Sequence, residues 1–153
     1  MRPSSLSTST CVAAADRVAP ATGPRALVVF EDRLEGWALR LLRPGFRHCF
    51  CVLGAGSSWT VCDPLKTRIE LIQIHGFSER QFADHFLQTG RTVLIGHVAA
   101  GRPRHRIRAI SCVEIVKRIL NLDAGYAFTP FQLQHALRKR GFIAHGSIDI
   151  ARK

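Results

Sequence analysis

The sequence predicts a single α+β domain in which an antiparallel sheet of about four to six strands packs against about three helices. Two observations favour this fold class: short β-rich segments alternate with turn signals, and three segments carry helix-capping signatures. The chain has 153 residues, of which 46% are hydrophobic, and this suits one domain with one core. We expect that domain to span residues 25–153.

Residues 1–24 are predicted to form a disordered tail. They are rich in Ser, Thr, Ala and Pro without periodicity, so they bury too little apolar area to offset the entropy lost on ordering. They also lack the apolar central region of a secretory signal, which favours a cytoplasmic protein. The longest apolar stretches, such as residues 26–30 and 49–53, are far shorter than the roughly 18 residues of a membrane span. No transmembrane segment is therefore expected.

Short β-rich segments that are bounded by turn residues predict the strands. Residues 47–53 and 59–63 indicate an antiparallel hairpin around a turn at residues 54–58. Residues 37–42 fit either a helix or a strand. The further predicted strands are residues 26–30, 68–74, 92–98 and 106–110.

Capping boxes, in which Ser or Thr is followed three residues later by Gln or Glu, predict the starts of three helices. The three pairs are Ser78 with Gln81, Ser111 with Glu114, and Thr129 with Gln132. Apolar residues that flank the first two caps predict hydrophobic staples, from Phe77 to Phe82 and from Ile110 to Ile115. Pro130 at the first helical position and Gly141 at the end mark the third helix.

The five cysteines are expected to be free thiols, because their number is odd and no export signal accompanies them. Cys49 and Cys51 form a C-x-C pair, but burial as small hydrophobic residues explains this pair better than zinc binding does. The glycines at 54 and 56 do not form a phosphate-binding loop. We therefore expect no metal and no nucleotide cofactor.

Cys112 has the surroundings of a nucleophile. The cap at Ser111 places it at the first helical position, where backbone amides and the helix dipole stabilise a thiolate. Arg106 and Arg108 lie just upstream and add positive charge. Of the five thiols, this one is the candidate for chemistry.

His48 is the candidate base for that nucleophile. It lies in an otherwise apolar predicted strand, where a histidine needs a polar partner. Pairing across the hairpin brings Asp63 of the next strand near it. A buried histidine beside a carboxylate on the neighbouring strand has a fixed tautomer and ring orientation.

The order of these residues resembles the circularly permuted branch of the NlpC-type papain-like superfamily, which includes peptidoglycan peptidases and the lecithin:retinol acyltransferase group. The resemblance rests on the segments GFRHCFCVL, WTVCDPL and ISCVEIVKRIL, within residues 46–122. It implies an antiparallel sheet packed on the cysteine helix. It also implies that Cys112 attacks an amide or ester, that His48 activates the thiol, and that Asp63 orients the imidazole.

A purely structural interpretation fits the same residues. Asp63 precedes Pro64 at the end of its strand, so it is also suited to capping a turn. His48 fits a core histidine with a satisfied hydrogen bond. Cys112 fits the apolar stripe of its helix, together with Val113 and Val116.

The basic charge supports an alternative function. The formal net charge is +11, and the first 24 residues contribute only one of those positive charges. Such a field attracts nucleic acid, anionic surfaces or acidic substrates. The predicted anion-binding residues are Arg102, Arg104, Arg106 and Arg108, and a second basic group comprises Arg138, Lys139 and Arg140. A non-enzymatic nucleic-acid-binding or phage-type structural protein would use them, although the chain lacks an evident aromatic stacking motif.

The leading hypothesis is a cofactor-free thiol hydrolase or acyltransferase. It would act on an amide or ester of an anionic or peptide substrate, with a cell-wall peptide as one candidate, through a thioester on Cys112.

Overall fold

The computed structural model describes residues 23–34, 37–100 and 110–146. Within these residues, six strands form one antiparallel sheet in the order β4-β3-β2-β1-β5-β6. The strands are β1 (Arg25–Glu31), β2 (His48–Ala55), β3 (Ser58–Pro64), β4 (Ile69–His75), β5 (Thr92–His97) and β6 (Ile143–Ala144). Together with three α-helices, this sheet confirms the predicted α+β fold.

The central strand β1 is apolar because both of its faces are covered. Leu27 and Val29 belong to one apolar cluster, and Val28 and Phe30 belong to the cluster on the opposite face. All four side chains are fully buried. A strand covered on both sides has a continuous apolar run rather than an alternation.

The hairpin between β2 and β3 is tighter than the sequence predicted. Ala55 pairs with Ser58, so only Gly56 and Ser57 form the turn. Gly56 has a φ of 62°, in the left-handed region that two-residue hairpin turns require. Gly54 continues the strand instead of turning, and a Cβ there would lie 2.7 Å from the Trp59 ring opposite.

Three α-helices cover the two faces of the sheet: α1 (Glu79–Gln88), α2 (Cys112–Ile119) and α3 (Pro130–Lys139). Phe82 and Ala83 of α1 pack on one face, and the apolar residues of α2 and α3 pack on the other. The helix α2 lies against β2 and β3.

Two of the three predicted capping boxes form as expected. Ser78 and Gln81 bond reciprocally at α1, and Thr129 and Gln132 do the same at α3. The staple at α1 also forms, with the rings of Phe77 and Phe82 5.4 Å apart. In these two helices the capping residues keep the partners that the local sequence predicts.

The third box forms only in part. Ser111 accepts from the Glu114 amide, but the Glu114 carboxylate lies 2.7 Å from Lys117 Nζ instead of returning to the cap. Lys117 is buried and needs a counter-charge, which explains the exchange. The predicted staple at Ile110 is also wrong, because that side chain is 81% exposed.

The remaining predictions have mixed outcomes. The segment that fitted either a helix or a strand is a 3₁₀ helix, Trp37–Leu41. The strand expected at residues 106–110 falls mostly outside the described residues, and Ile110 itself lies just before the cap of α2. The two-residue strand β6 was not predicted, because it is too short to carry a pattern.

The predicted tail also lies outside the described residues, apart from Gly23 and Pro24. Among the helices described, none has the length and apolar character that crossing a bilayer requires.

Candidate active site

Cys112 is the first residue of α2. Ser111 precedes it with φ −139° and ψ 164°, an extended conformation that is typical of an N-cap, and its hydroxyl accepts from the Glu114 amide. The predicted cap and the predicted position of Cys112 are both confirmed. The thiol is partly exposed, and it lies where the helix presents backbone amides and the positive end of its dipole.

His48 and Asp63 meet across the hairpin. Because Cys51 pairs with Cys62, Asp63 lies opposite Phe50, and His48 is two residues further along the same face of β2. His48 Nε2 is 2.6 Å from Asp63 Oδ1. Both residues are buried, with exposures of 5% and 8%. The His48–Asp63 contact, which was predicted from pairing across the hairpin, is therefore present.

The Cys112 thiol lies close enough to the His48 ring for each group to shift the pKa of the other. His48 is the first residue of β2, and α2 packs against that strand, so the ring and the thiol lie near the start of β2. Because Nε2 is engaged by Asp63, Nδ1 is the ring nitrogen that remains to bond the thiol. Asp63 is thus bonded to His48, and His48 interacts in turn with the Cys112 thiol.

This environment lowers the pKa of Cys112 from 9.0 to about 5. The largest cause is a hydrogen bond from the Cys49 side chain to the Cys112 sulfur. Burial acts in the opposite direction, but the hydrogen bond and the positive charge of His48 overcome it, together with a bond from the Cys49 backbone. The thiolate therefore persists down to about pH 5.

The pKa of His48 rises from 6.5 to about 9. Burial alone would lower it, but the hydrogen bonds with Asp63 and Cys112 stabilise the imidazolium more strongly. The pKa of Asp63 is lowered: burial would raise it, and its bonds to His48 and Arg33 reverse that effect. Taken together, these shifts favour a thiolate–imidazolium pair between about pH 5 and about pH 9.

Three charged residues that the sequence did not single out extend this chain. Arg33 donates to Asp63 Oδ2 at 2.9 Å, and its Nε lies 2.7 Å from Glu31. Arg91 Nε lies 2.7 Å from the other oxygen of Glu31. Because Glu31 is the cross-strand partner of His48, strand pairing fixes the position of the whole network. Charges of opposite sign alternate along it, so each buried carboxylate has cationic partners.

Cys49 and Cys51 are buried, as the structural interpretation of the C-x-C pair expected. Cys49 has an additional role, because its thiol is the largest cause of the lowered pKa of Cys112. Burial and the neighbouring Cys112 keep the pKa of Cys49 well above its ordinary value, so Cys49 remains a protonated donor. In the part of the chain that the structure describes, no three His, Cys, Asp or Glu residues are grouped so that they could hold a metal ion.

The structure describes only the second of the two predicted basic groups. Arg102, Arg104, Arg106 and Arg108 fall within residues 101–109, outside the described residues. The second basic group, Arg138, Lys139 and Arg140, is exposed at the end of α3. There Lys139 Nζ lies 5.9 Å from the centre of the Tyr126 ring, and Arg140 donates to the carbonyl of Asp123.

Comparisons with known proteins give no match: no family model fits the chain, and neither the curated proteins nor the solved structures contain a significant relative. The functional argument therefore depends on the geometry of the site.

Proposed function

We propose that the protein is a thiol hydrolase or acyltransferase that uses Cys112 as nucleophile, His48 as general acid and base, and Asp63 as the residue that orients the imidazole. The observation that carries this proposal is the His48–Asp63 hydrogen bond beside the Cys112 thiol, which lies at the N-terminus of α2. An activated nucleophile requires a base within hydrogen-bond reach and a third group that holds the base.

In the first half of the reaction, the Cys112 thiolate attacks the carbonyl carbon of an amide or ester. The oxygen of the tetrahedral intermediate becomes negative, and an amide at the start of α2 is suited to stabilise it. The His48 imidazolium donates its proton to the leaving amine or alcohol as the carbon–nitrogen or carbon–oxygen bond breaks. The product of this half is a thioester on Cys112.

In the second half, neutral His48 takes a proton from water or from an acceptor nucleophile. That nucleophile attacks the thioester, the acyl group leaves, and the Cys112 thiolate and His48 imidazolium are restored. Asp63 keeps its 2.6 Å bond to Nε2 in both halves, so the other ring nitrogen always faces the reacting atoms. Water as acceptor makes the protein a hydrolase, and an amine or alcohol makes it an acyltransferase.

We also propose membership of the permuted NlpC-type branch. Support comes from the order of the elements, with histidine on β2, the acid on β3 and cysteine later in the chain at the start of α2. The antiparallel sheet packed on the cysteine helix agrees with this assignment. The net charge of +11 favours anionic acyl donors, and peptides of the cell wall carry such carboxylates.

Turnover of candidate substrates tests this proposal. The full-length protein is incubated with peptidoglycan stem peptides and with phospholipid esters, and the released amine, acid or acyl-transfer product is followed by mass spectrometry. We expect turnover of at least one class, with loss of about 10³-fold or more in Cys112→Ala and His48→Ala. His75→Ala, which replaces an exposed histidine on β4, is the matched control and should retain activity. Turnover that survives in Cys112→Ala would refute the assignment.

A further inference from the structure

Four cysteines lie in one region of the core. Cys49 and Cys51 point to the same face of β2, and Cys62 is the cross-strand partner of Cys51. Cys112 packs against the same apolar cluster from α2. All four are free thiols. The proposed acyl chemistry needs only one of them.

Within this group, Cys112 belongs to the candidate active site, and Cys49 belongs to the buried cluster on which Cys112 packs. The Cys49 thiol is the largest cause of the lowered pKa of Cys112. Cys112 is partly exposed, whereas Cys49 is fully buried beneath it. Thiols that sense oxidants are accessible, readily form the thiolate, and lie beside a second thiol that can resolve the oxidised sulfur. Cys112 has the position of the accessible thiol, and Cys49 has the position of the second thiol.

We propose that Cys49 is a resolving thiol, so that a hydroperoxide converts Cys112 and Cys49 into a reversible disulfide. This inference goes beyond the proposed function, because it concerns the two thiols and requires no acyl substrate. The disulfide removes the nucleophile while the oxidant is present, and a dithiol reductant restores it.

Two steps account for the atoms and electrons. The Cys112 thiolate attacks one oxygen of the hydroperoxide, the O–O bond breaks, and the leaving oxygen takes the proton of the His48 imidazolium. Cys112 is thereby oxidised to a sulfenic acid, and the peroxide is reduced to water or an alcohol. The Cys49 sulfur then attacks the Cys112 sulfur, the S–O bond breaks, and the Cys49 proton leaves with the hydroxyl as water.

The other buried pair does not have this arrangement. Cys51 and Cys62 are cross-strand partners, but both are buried within the core cluster. A peroxide reaches the partly exposed Cys112 first. Cys49 belongs to the cluster on which Cys112 packs and is the thiol that most strongly lowers the pKa of Cys112, so it is placed for the second step.

Peroxide titration followed by disulfide mapping tests the inference. The reduced full-length protein is treated with one to a few equivalents of hydrogen peroxide, denatured in iodoacetamide, digested without reductant and mapped. We expect a peptide pair linked by Cys49 and Cys112, loss of both sites from alkylation, and full return of both after dithiothreitol. A peptide linked through Cys51 and Cys62, or Cys112 as sulfinic acid beside alkylated Cys49, would overturn the proposal.

Matched variants separate resolution from simple oxidation. In Cys49→Ala, Cys112 should proceed to sulfinic acid, which dithiothreitol does not reverse. In the control Cys51→Ala, the Cys49–Cys112 link should form as in the wild type. Circular dichroism establishes that each variant folds, and the wild-type map decides the question even where a variant does not. Because the readout is the disulfide, it also stands if no acyl substrate is turned over.

Discussion

The reactivity of Cys112 toward a disulfide reagent should show a pH dependence that an ordinary thiol does not have. Its pKa of about 5 means that the thiolate fraction stays nearly constant above about pH 6. An unperturbed thiol gains about tenfold in thiolate for each pH unit until it approaches its own pKa. The difference between the two profiles is therefore largest in mild acid.

The size of the difference follows from two opposing effects. At pH 6, a pKa lowered from 9.0 to about 5 raises the thiolate fraction from about 0.1% to about 90%. The less basic thiolate is also a weaker nucleophile, and this reduces its rate about 40- to 100-fold over four pKa units. The net advantage is therefore about tenfold at pH 6, and about 100-fold at pH 5.

Dithiodipyridine, which reports in acid, is a suitable reagent for stopped-flow measurement. The full-length protein is compared with glutathione from pH 4 to pH 9, and Cys112→Ser identifies the phase that belongs to this residue. His48→Ala should move the midpoint of that phase upward, because the thiolate loses a hydrogen bond and a neighbouring cation. The exposed-histidine control His75→Ala should leave the midpoint unchanged.

Two results would refute this reasoning. One is a Cys112 rate that climbs tenfold per pH unit through pH 6 and 7, as glutathione does. The other is an unchanged midpoint in His48→Ala, which would mean that His48 does not stabilise the thiolate.

Three further predictions concern the surroundings of the site and the fold. Asp63→Asn should lower the pKa of His48 from about 9, because the imidazolium loses its carboxylate partner. NMR titration of the His48 ring measures this pKa, and an unchanged pKa in the variant would contradict the contact. Gly54→Ala should destabilise the protein by about 1–3 kcal/mol in urea unfolding, because the added Cβ meets the Trp59 ring; an unchanged midpoint would contradict that packing. If Arg104, Arg106 and Arg108 bind a polyanion, the logarithm of affinity should fall with the logarithm of salt concentration. Replacing these residues should flatten that slope by about 0.9 for each phosphate that is no longer neutralised. An unchanged slope would exclude this role for them.

The features of the site that the sequence predicted are those that short-range rules determine. Ser111 three residues before Glu114 predicted the cap, and the cap determined the position of Cys112. The alternation of side chains between the two faces of a strand, with pairing across one hairpin, was sufficient to bring His48 and Asp63 together. Each of these steps uses residues that are near in sequence or joined by a tight turn.

The features that the sequence did not predict depend on contacts between distant segments. Glu114 leaves its capping box because Lys117 is buried, and burial of a lysine in this helix is not visible from the pattern. The Arg33–Glu31–Arg91 network joins the end of β1 to the residue before β5, 60 positions away in sequence for the Glu31–Arg91 pair. The effect of Cys49 on the pKa of Cys112 requires the packing of α2 on β2, which no local motif specifies.

The acylation of Cys112 by an activated ester tests the central claim most directly. The full-length protein is mixed with p-nitrophenyl acetate at pH 7 in single turnover, quenched in acid, and the acetylated peptide is identified by mass spectrometry. We expect one acetyl group on Cys112 that neutral hydroxylamine removes, formed at least tenfold more slowly in His48→Ala and not formed in Cys112→Ser. Acetylation that falls on lysines or on other cysteines, or that reaches Cys112 equally fast without His48, would contradict the account.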